Sequence, residues 1–248
     1  MRLLILGGTT EASALARRIA VMPELDPTLS FAGRTRRPAI PPIPFRVGGF
    51  GGIAGLKTYL IEAKINAVID ATHPFAAQMS RNAAAACREL ALPLVRLIRP
   101  AWSKQEGDRW TSVPTVETAV RALGESARRV FLTIGGSQLA VFAAAPHHHY
   151  VVRTIDPPDA INSLPSHRLI LARGPFSVTD EISLMCEERI QVLVSKNSGG
   201  AAVGGKIAAA RTLGVEVIMV ERPPTVDVPS SGSIDAILAW IENHRAAA

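Results

Sequence analysis

Arg2-Leu3-Leu4-Ile5-Leu6-Gly7-Gly8-Thr9-Thr10-Glu11-Ala12 is the stretch that decides the fold. The apolar run Leu3 to Leu6 predicts a strand buried on both faces, as in a parallel sheet. Gly7 and Gly8 permit a tight turn, and Thr9 and Thr10 stand where a hydroxyl caps a helix. Ala12, Leu15, Ala16 and Ile19 then recur at helical spacing. A strand that turns over glycine into a helix leaves backbone N–H groups and the positive end of a dipole facing outward, a seat for phosphate. The stretch departs from the dinucleotide fingerprint G-x-G-x-x-G, because Thr9 and Ala12 occupy the second and third glycine positions. Alone, it leaves both a nucleotide site and a purely structural βα turn open.

Further along, Thr28 to Ala32 reads as a second strand. A dinucleotide fold places an acidic residue against the adenosine ribose at that strand's end. The sequence there is Gly33-Arg34-Thr35-Arg36-Arg37, basic and without a carboxylate. Guanidinium groups suit a 2′-phosphate, so Arg34, Thr35 and Arg36 favour NADPH over NADH. A solvated basic loop is the alternative. Phe45-Arg46-Val47 leads into Gly48-Gly49-Phe50-Gly51-Gly52, whose glycines let the backbone approach a ligand or a neighbouring loop. Gly49 is taken as the contact. Ala67 to Asp70 is another buried strand, ending in Ala71-Thr72-His73-Pro74-Phe75-Ala76, with Pro74 expected in the first turn of the next helix. Asp70, Thr72 and His73 thus stand at a strand's carboxyl end, where open α/β sheets bind ligands. His73 is either ligand-facing and proton-handling or a helix cap. Leu94 to Leu97 gives one more strand.

Arg99-Pro100-Ala101-Trp102 and the polar stretch Ser103 to Arg109 break the pattern and mark a domain boundary. The design then recurs. Val130 to Ile134 reads as a strand, and Gly135-Gly136-Ser137-Gln138 echoes Gly7-Gly8-Thr9-Thr10 before another helix. Further strands are expected at Tyr150 to Ile155, Arg168 to Ala172, Gln191 to Ser195 and Val215 to Val220. Lys196 closes one of them, beside Asn197 and Ser198, and favours contact with an anion. Ser233 caps a last helix with Ile234, Ile237, Leu238 and Ile241 on its buried face. The expected fold is α/β: two Rossmann-like domains with mostly parallel sheets and an interdomain cleft, spanning residues 1–100 and 101–248, the last helix (233–245) being able to pack across.

Composition narrows the function. The 248 residues carry a formal charge of +6, which suits an acidic partner. No basic run interleaved with aromatics supports nucleic acid, and small polyanions fit as well. Cys87 and Cys186 match no metal or redox spacing, so a reduced, cytoplasmic protein is expected. No apolar run approaches membrane-spanning length, and none near the start suits a signal peptide. His147-His148-His149 looks metal-like, but neighbours on an extended strand point to opposite faces. A solvated strand entry is expected there, and no metal site.

Taken together, the motifs resemble those of the precorrin-6A reductases of cobalamin biosynthesis. Carrying the resemblance are Gly7-Gly-Thr-Thr-Glu-Ala12, Asp70-Ala-Thr-His-Pro-Phe-Ala76, Arg99-Pro-Ala-Trp102, Ile134-Gly-Gly136, Ala172-Arg-Gly-Pro-Phe176, Ser195-Lys-Asn-Ser-Gly199 and Glu221-Arg-Pro223. Their order is the family's. The resemblance implies NADPH-dependent reduction of precorrin-6A to precorrin-6B, with the nucleotide on the N-terminal domain and the tetrapyrrole in the cleft. A macrocycle rimmed with carboxylates would suit Arg99, Arg173 and Lys196, with Asn197 and Ser198 beside them. Hydride transfer belongs to the cofactor, so no protein nucleophile is required. The proton would come from His73, Lys196 or water. Whether the substrate carries cobalt is left open. Competing readings are an NADP(H)-sensing module without turnover, which leaves the second half unexplained, and a nucleic-acid binder resting on charge alone.

Overall fold

The computed structural model describes residues 1–33, 40–200 and 203–246. The chain forms two compact units, one of Met1–Pro100 with the segment from Pro223 onward, the other of Ala101–Arg222.

In the first unit, β1 (Arg2–Leu6), β2 (Asp26–Phe31), β3 (Phe45–Val47), β4 (Ala67–Asp70), β5 (Leu94–Leu97) and β12 (Ser230–Ser231) form one parallel sheet in the order β12-β5-β4-β1-β2-β3. The apolar run of β1 explains its central place. Leu3 and Ile5 pack with Leu15 and Ile19 of α1 (Thr10–Ile19), whereas Leu4 and Leu6 pack with Leu56 and Leu60 of α2 (Gly52–Glu62) and Ala83 and Ala86 of α3 (Ala77–Glu89). Alternate residues therefore serve two layers, as the sequence predicts for a strand buried on both faces.

The expected second domain ran to residue 248, but the structure returns the chain to the first unit after Arg222. Ser230 and Ser231 pair with Arg96 and Leu97, and α7 (Ile234–Ala246) buries Ile237 and Ile241 in the cluster formed by α1 and β1. Burial of two such side chains is worth on the order of 3–6 kcal/mol of transfer free energy. That apolar stripe is the physical reason for the return.

The second unit repeats the arrangement. Its parallel sheet has the order β6-β11-β10-β7-β8-β9, built from β6 (Trp110–Val113), β7 (Arg129–Leu132), β8 (His149–Thr154), β9 (His167–Leu171), β10 (Val192–Lys196) and β11 (Glu216–Val220). α4 (Val116–Ala122), α5 (Val178–Glu187) and α6 (Gly205–Leu213) accompany it. Numbered outward from the central strand, both sheets run 3-2-1-4-5 and take a sixth strand at the same edge, supplied from after the series in the first and from before it in the second. The helix expected after Gly135 is a 3-10 segment, Gly136–Ala144. α3 begins at Ala77 rather than at Pro74, because a separate turn around His73 comes first: Ala76 N–H donates to the His73 carbonyl at 2.7 Å.

The histidine run also differs from expectation. His148 is fully buried, its Nδ1 accepting the Arg128 N–H at 3.2 Å and its ring meeting Tyr150 edge-on at 5.9 Å. β8 starts only at His149, so strand alternation does not govern His147 and His148. No described helix is long and apolar enough to cross a membrane.

Candidate active site

At the carboxyl rim of the first sheet, each expected residue of the β1 turn has a distinct role. Gly7 N–H donates to the Ser30 carbonyl at 2.9 Å, and a Cβ on Gly7 would stand 2.6 Å from Leu29 Cδ1. A side chain there would force Leu29 to move. Gly8 has φ +114° and opens on space, since an added Cβ would meet nothing within 4 Å. Thr9 is the N-cap of α1: its Oγ1 accepts the Ala12 N–H at 3.1 Å and donates to the Ala71 carbonyl at 2.9 Å. One hydroxyl thus fixes the helix start to the end of β4. Thr10 Oγ1 donates to Glu11 Oε2 at 3.1 Å, and Arg99 Nη1 donates to the same oxygen at 2.7 Å. Arg99, expected to meet substrate, is therefore ion-paired in the first turn of α1, with a side chain only 12% exposed.

Asp70 is turned inward. It is buried and accepts from Thr72 N–H (3.1 Å), Thr72 Oγ1 (2.6 Å), Ser80 Oγ (2.6 Å) and Arg96 Nε (3.1 Å). Its carboxylate holds Thr72 in place from behind, while Thr72 and His73 are half-buried at the rim. Such a pair tolerates burial only because its remaining lone pairs are satisfied. Nearby, burial and then the Asp70 charge push the Cys87 thiol up to about 12, so it stays protonated and unreactive. His73 Nδ1 accepts the Phe75 N–H at 3.2 Å, which caps the turn and leaves the ring's proton on Nε2 in the neutral form. Gly49 follows β3, its carbonyl accepting from Arg46 at 3.1 Å. Arg34, Thr35 and Arg36 lie outside the described residues.

In the second unit Lys196 ends β10 half-buried. Asn197 is buried and pairs with both backbone groups of Trp102, Oδ1 accepting its N–H at 2.9 Å and Nδ2 donating to its carbonyl at 3.1 Å. Arg222 donates to the carbonyls of Asn197 (2.8 Å) and Ser198 (3.0 Å), and the Trp102 indole N–H donates to the Gly200 carbonyl at 3.1 Å. Asn197 and Ser198 therefore shape the loop that follows Lys196. Arg173 is exposed on the turn before α5. That turn meets the start of α6, where a Cβ on Gly205 would lie 2.7 Å from the Phe176 carbonyl oxygen. Phe176 in turn lies 3.7 Å below the Arg153 guanidinium, itself paired with Glu181 at 2.6 Å.

The structure thus gathers Gly7, Gly8, Thr9, Thr10, Thr72 and His73 at the ends of the adjacent strands β1 and β4, with Gly49 two strands from β1. On the other unit Lys196, Asn197 and Ser198 stand together at the end of β10, whereas Arg173 follows β9, three strands away in the sheet. Sequence reasoning gave no role to Arg46 or to the Asp70–Arg96 pair. A charge inside the otherwise apolar β5 was the available signal for the latter.

A parallel sheet whose first strand turns over an open glycine into a capped helix defines a doubly wound α/β protein with a dinucleotide-type turn. The open backbone at Gly8, just ahead of the capped start of α1, is a cradle that any side chain would fill, and it fits a pyrophosphate. The match to known proteins is more specific. The chain belongs to the precorrin-6x reductase family, whose model, described as "Precorrin-6x reductase CbiJ/CobK", matches residues 2–242. It is 50% identical over 247 residues to the precorrin-6A reductase of a Sinorhizobium species, covering 100% of this chain and 95% of that one. To the cobalt-precorrin-6A reductase of Priestia megaterium it is 31% identical over 178 residues, covering 68% and 69%. A solved structure, "CobK precorrin-6A reductase", superposes with a TM-score of 0.94 at 47% identity, covering 98% and 97%.

Proposed function

We propose that this chain is a cytoplasmic, NADPH-dependent reductase that converts precorrin-6A to precorrin-6B. The observation that carries the reading is the β1 turn, in which open Gly8 and capping Thr9 stand at the carboxyl rim of a parallel sheet. Family membership and the relatives' names supply the substrate class. The higher identity to a protein named for the metal-free substrate than to one named for the cobalt form supports the metal-free macrocycle.

Gly7, Gly8, Thr9 and Thr10 would hold the pyrophosphate, with Thr72 and His73 beside it and Asp70 acting through Thr72. Arg34, Thr35, Arg36 and Gly49 would recognise the adenosine end. When bound, NADPH supplies the hydride; the protein orients the reactants and excludes water. Arg99 neutralises Glu11, removing a like charge from the path of an incoming phosphate. Arg173 and Lys196 would grip the macrocycle's carboxylates, with Asn197 and Ser198 fixing the loop after Lys196. The proton is assigned to His73 Nε2 or to Lys196, and a pH–rate profile of His73→Gln against Lys196→Gln separates them.

The test is turnover. Absorbance of NADPH should fall only when precorrin-6A is supplied, and more slowly with NADH or with the cobalt-containing substrate. Binding of NADPH without consumption would instead make the chain a sensor.

A further inference from the structure

Arg46 has more partners than an edge-strand arginine needs for solubility. Its Nη1 donates to Ser30 Oγ at 2.8 Å and to the Gly48 carbonyl at 2.9 Å, and its Nη2 donates to the Gly49 carbonyl at 3.1 Å. The guanidinium also lies 4.1 Å from the Phe50 ring centroid and 5.3 Å from that of Tyr59, two rings packed edge to face. A planar fork held on two aromatic faces has little freedom left.

What the fork holds is the loop after β3. In a trans peptide the N–H lies opposite the carbonyl across the peptide plane. Fixing the carbonyls of Gly48 and Gly49 therefore turns the N–H groups of Gly49 and Phe50 away from the guanidinium. Gly49 is exposed, and a Cβ there would meet nothing within 4 Å, so the approach to these amides is open. The loop also borders the point where the chain enters Arg34-Thr35-Arg36. Gly48 N–H donates to the Phe31 carbonyl at 2.9 Å, and a Cβ on Gly33 would lie 3.4 Å from Val47 Cγ1. Ser30, which anchors the other side of the fork, pairs in register with Arg46 at the ends of β2 and β3. That is the rim where a dinucleotide's adenosine ribose is read.

We propose that Arg46 is a positioning residue for the coenzyme's 2′-phosphate. It pins two consecutive carbonyls so that the amides of Gly49 and Phe50 are presented to that phosphate. The inference rests on the NADPH reading given above. Its own charge is directed into the loop, so the effect comes through geometry.

The experiment titrates 2′,5′-ADP and 5′-ADP into the wild type and into Arg46→Met, Arg46→Lys and Ser30→Ala, with thermal melts of each. Arg46→Met should weaken 2′,5′-ADP about tenfold or more, the loss expected when amide donors to an anion are misplaced, and weaken 5′-ADP by less than about threefold. In turnover, KM for NADPH should rise while kcat stays within about twofold, the pattern of lost uniform binding. Arg46→Lys keeps the cation over Phe50 but lacks the fork, so it should resemble Arg46→Met. Ser30→Ala removes one anchor and should give a smaller loss of the same kind, which keeps the test valid if Arg46→Met fails to fold. Unchanged 2′,5′-ADP affinity in Arg46→Met, equal loss for both nucleotides, or full recovery in Arg46→Lys would each overturn the proposal. If the wild type binds both nucleotides equally, the 2′-phosphate reading falls and the proposal with it. Wild-type discrimination that survives in Arg46→Met removes the proposal alone.

Discussion

In the first unit the chain leaves β1 through Gly7 and Gly8 into a helix capped by Thr9; in the second it leaves β7 through Gly135 and Gly136 into a 3-10 segment without a side-chain cap. The strands on either side are arranged alike. Gly8 opens on space, whereas a Cβ on Gly136 would stand 2.7 Å from Pro158 Cβ, so the second turn is packed against its own neighbouring loop. A 3-10 segment also aligns its hydrogen bonds less well than an α-helix. Each turn thus holds one tightly packed and one open glycine, but in the opposite order, Gly7 then Gly8 against Gly136 after the open Gly135, so the repeated Gly-Gly reports shared architecture with different local packing.

The largest effects should come from the buried ion pair in each unit. Removing Arg96 leaves Asp70 charged and buried, and removing Arg153 does the same to Glu181. Arg96→Ala and Arg153→Ala should each cost about 3–5 kcal/mol in denaturant unfolding. Only Arg96→Ala should also raise KM for NADPH, because Asp70 positions Thr72; equal effects on KM would erase the functional contrast between the units. Next comes the turn itself. Gly8→Val places a β-branched residue at φ +114° and fills the seat, so KM for NADPH should rise about 100-fold, or about 2.7 kcal/mol. Gly136→Ala should lower the melting temperature yet leave that KM within about twofold; a large change would mean the second turn also meets coenzyme. Thr9→Val should cost about 1 kcal/mol of stability through loss of the cap. A melt unchanged from wild type would show that the Ala71 link and the cap are dispensable.

The smallest effect is on pH dependence and belongs to the second unit. Burial holds His148 and His149 below the ordinary imidazole value of 6.5, with the charges of His147 and Arg129 adding to it. The unfolded chain takes up these protons near pH 6.5 while the folded one resists. Stability should therefore be full above pH 6.5 and decline as pH falls through that value toward the depressed folded pKa. Urea midpoints at pH 7.5 and 5.5 measure the decline, and His148→Asn should flatten it.

Much of the fold was legible because β1, β4 and β10 are short apolar runs and α1 carries a clean stripe. β6 and β12 were not. Trp110-Thr111-Ser112-Val113 buries only its ends, and Ser230-Ser231 has no apolar residue at all. Both are edge strands, held by pairing on one side and giving no hydrophobic signal. The stripe Ile237 and Ile241 told that α7 is buried but not against what, since that depends on contacts far apart in sequence. At the site, residue types were legible and side-chain directions were not. Asp70 shares the face of Val68, toward α3, and its register partner is Arg96. Two such charges in neighbouring apolar strands argue for each other, and hence for an inward carboxylate. The role of Arg46 was hidden in a three-residue strand.

The late return of the chain has a consequence for synthesis. When a ribosome has released only residues 1–100, the β5 edge still lacks Ser230 and Ser231, and the patch over Leu15 and Ile19 still lacks Ile237 and Ile241. The β1 turn is thus made first while the unit that carries it is completed last, so the nascent protein carries an open sheet edge through the whole translation of its second unit.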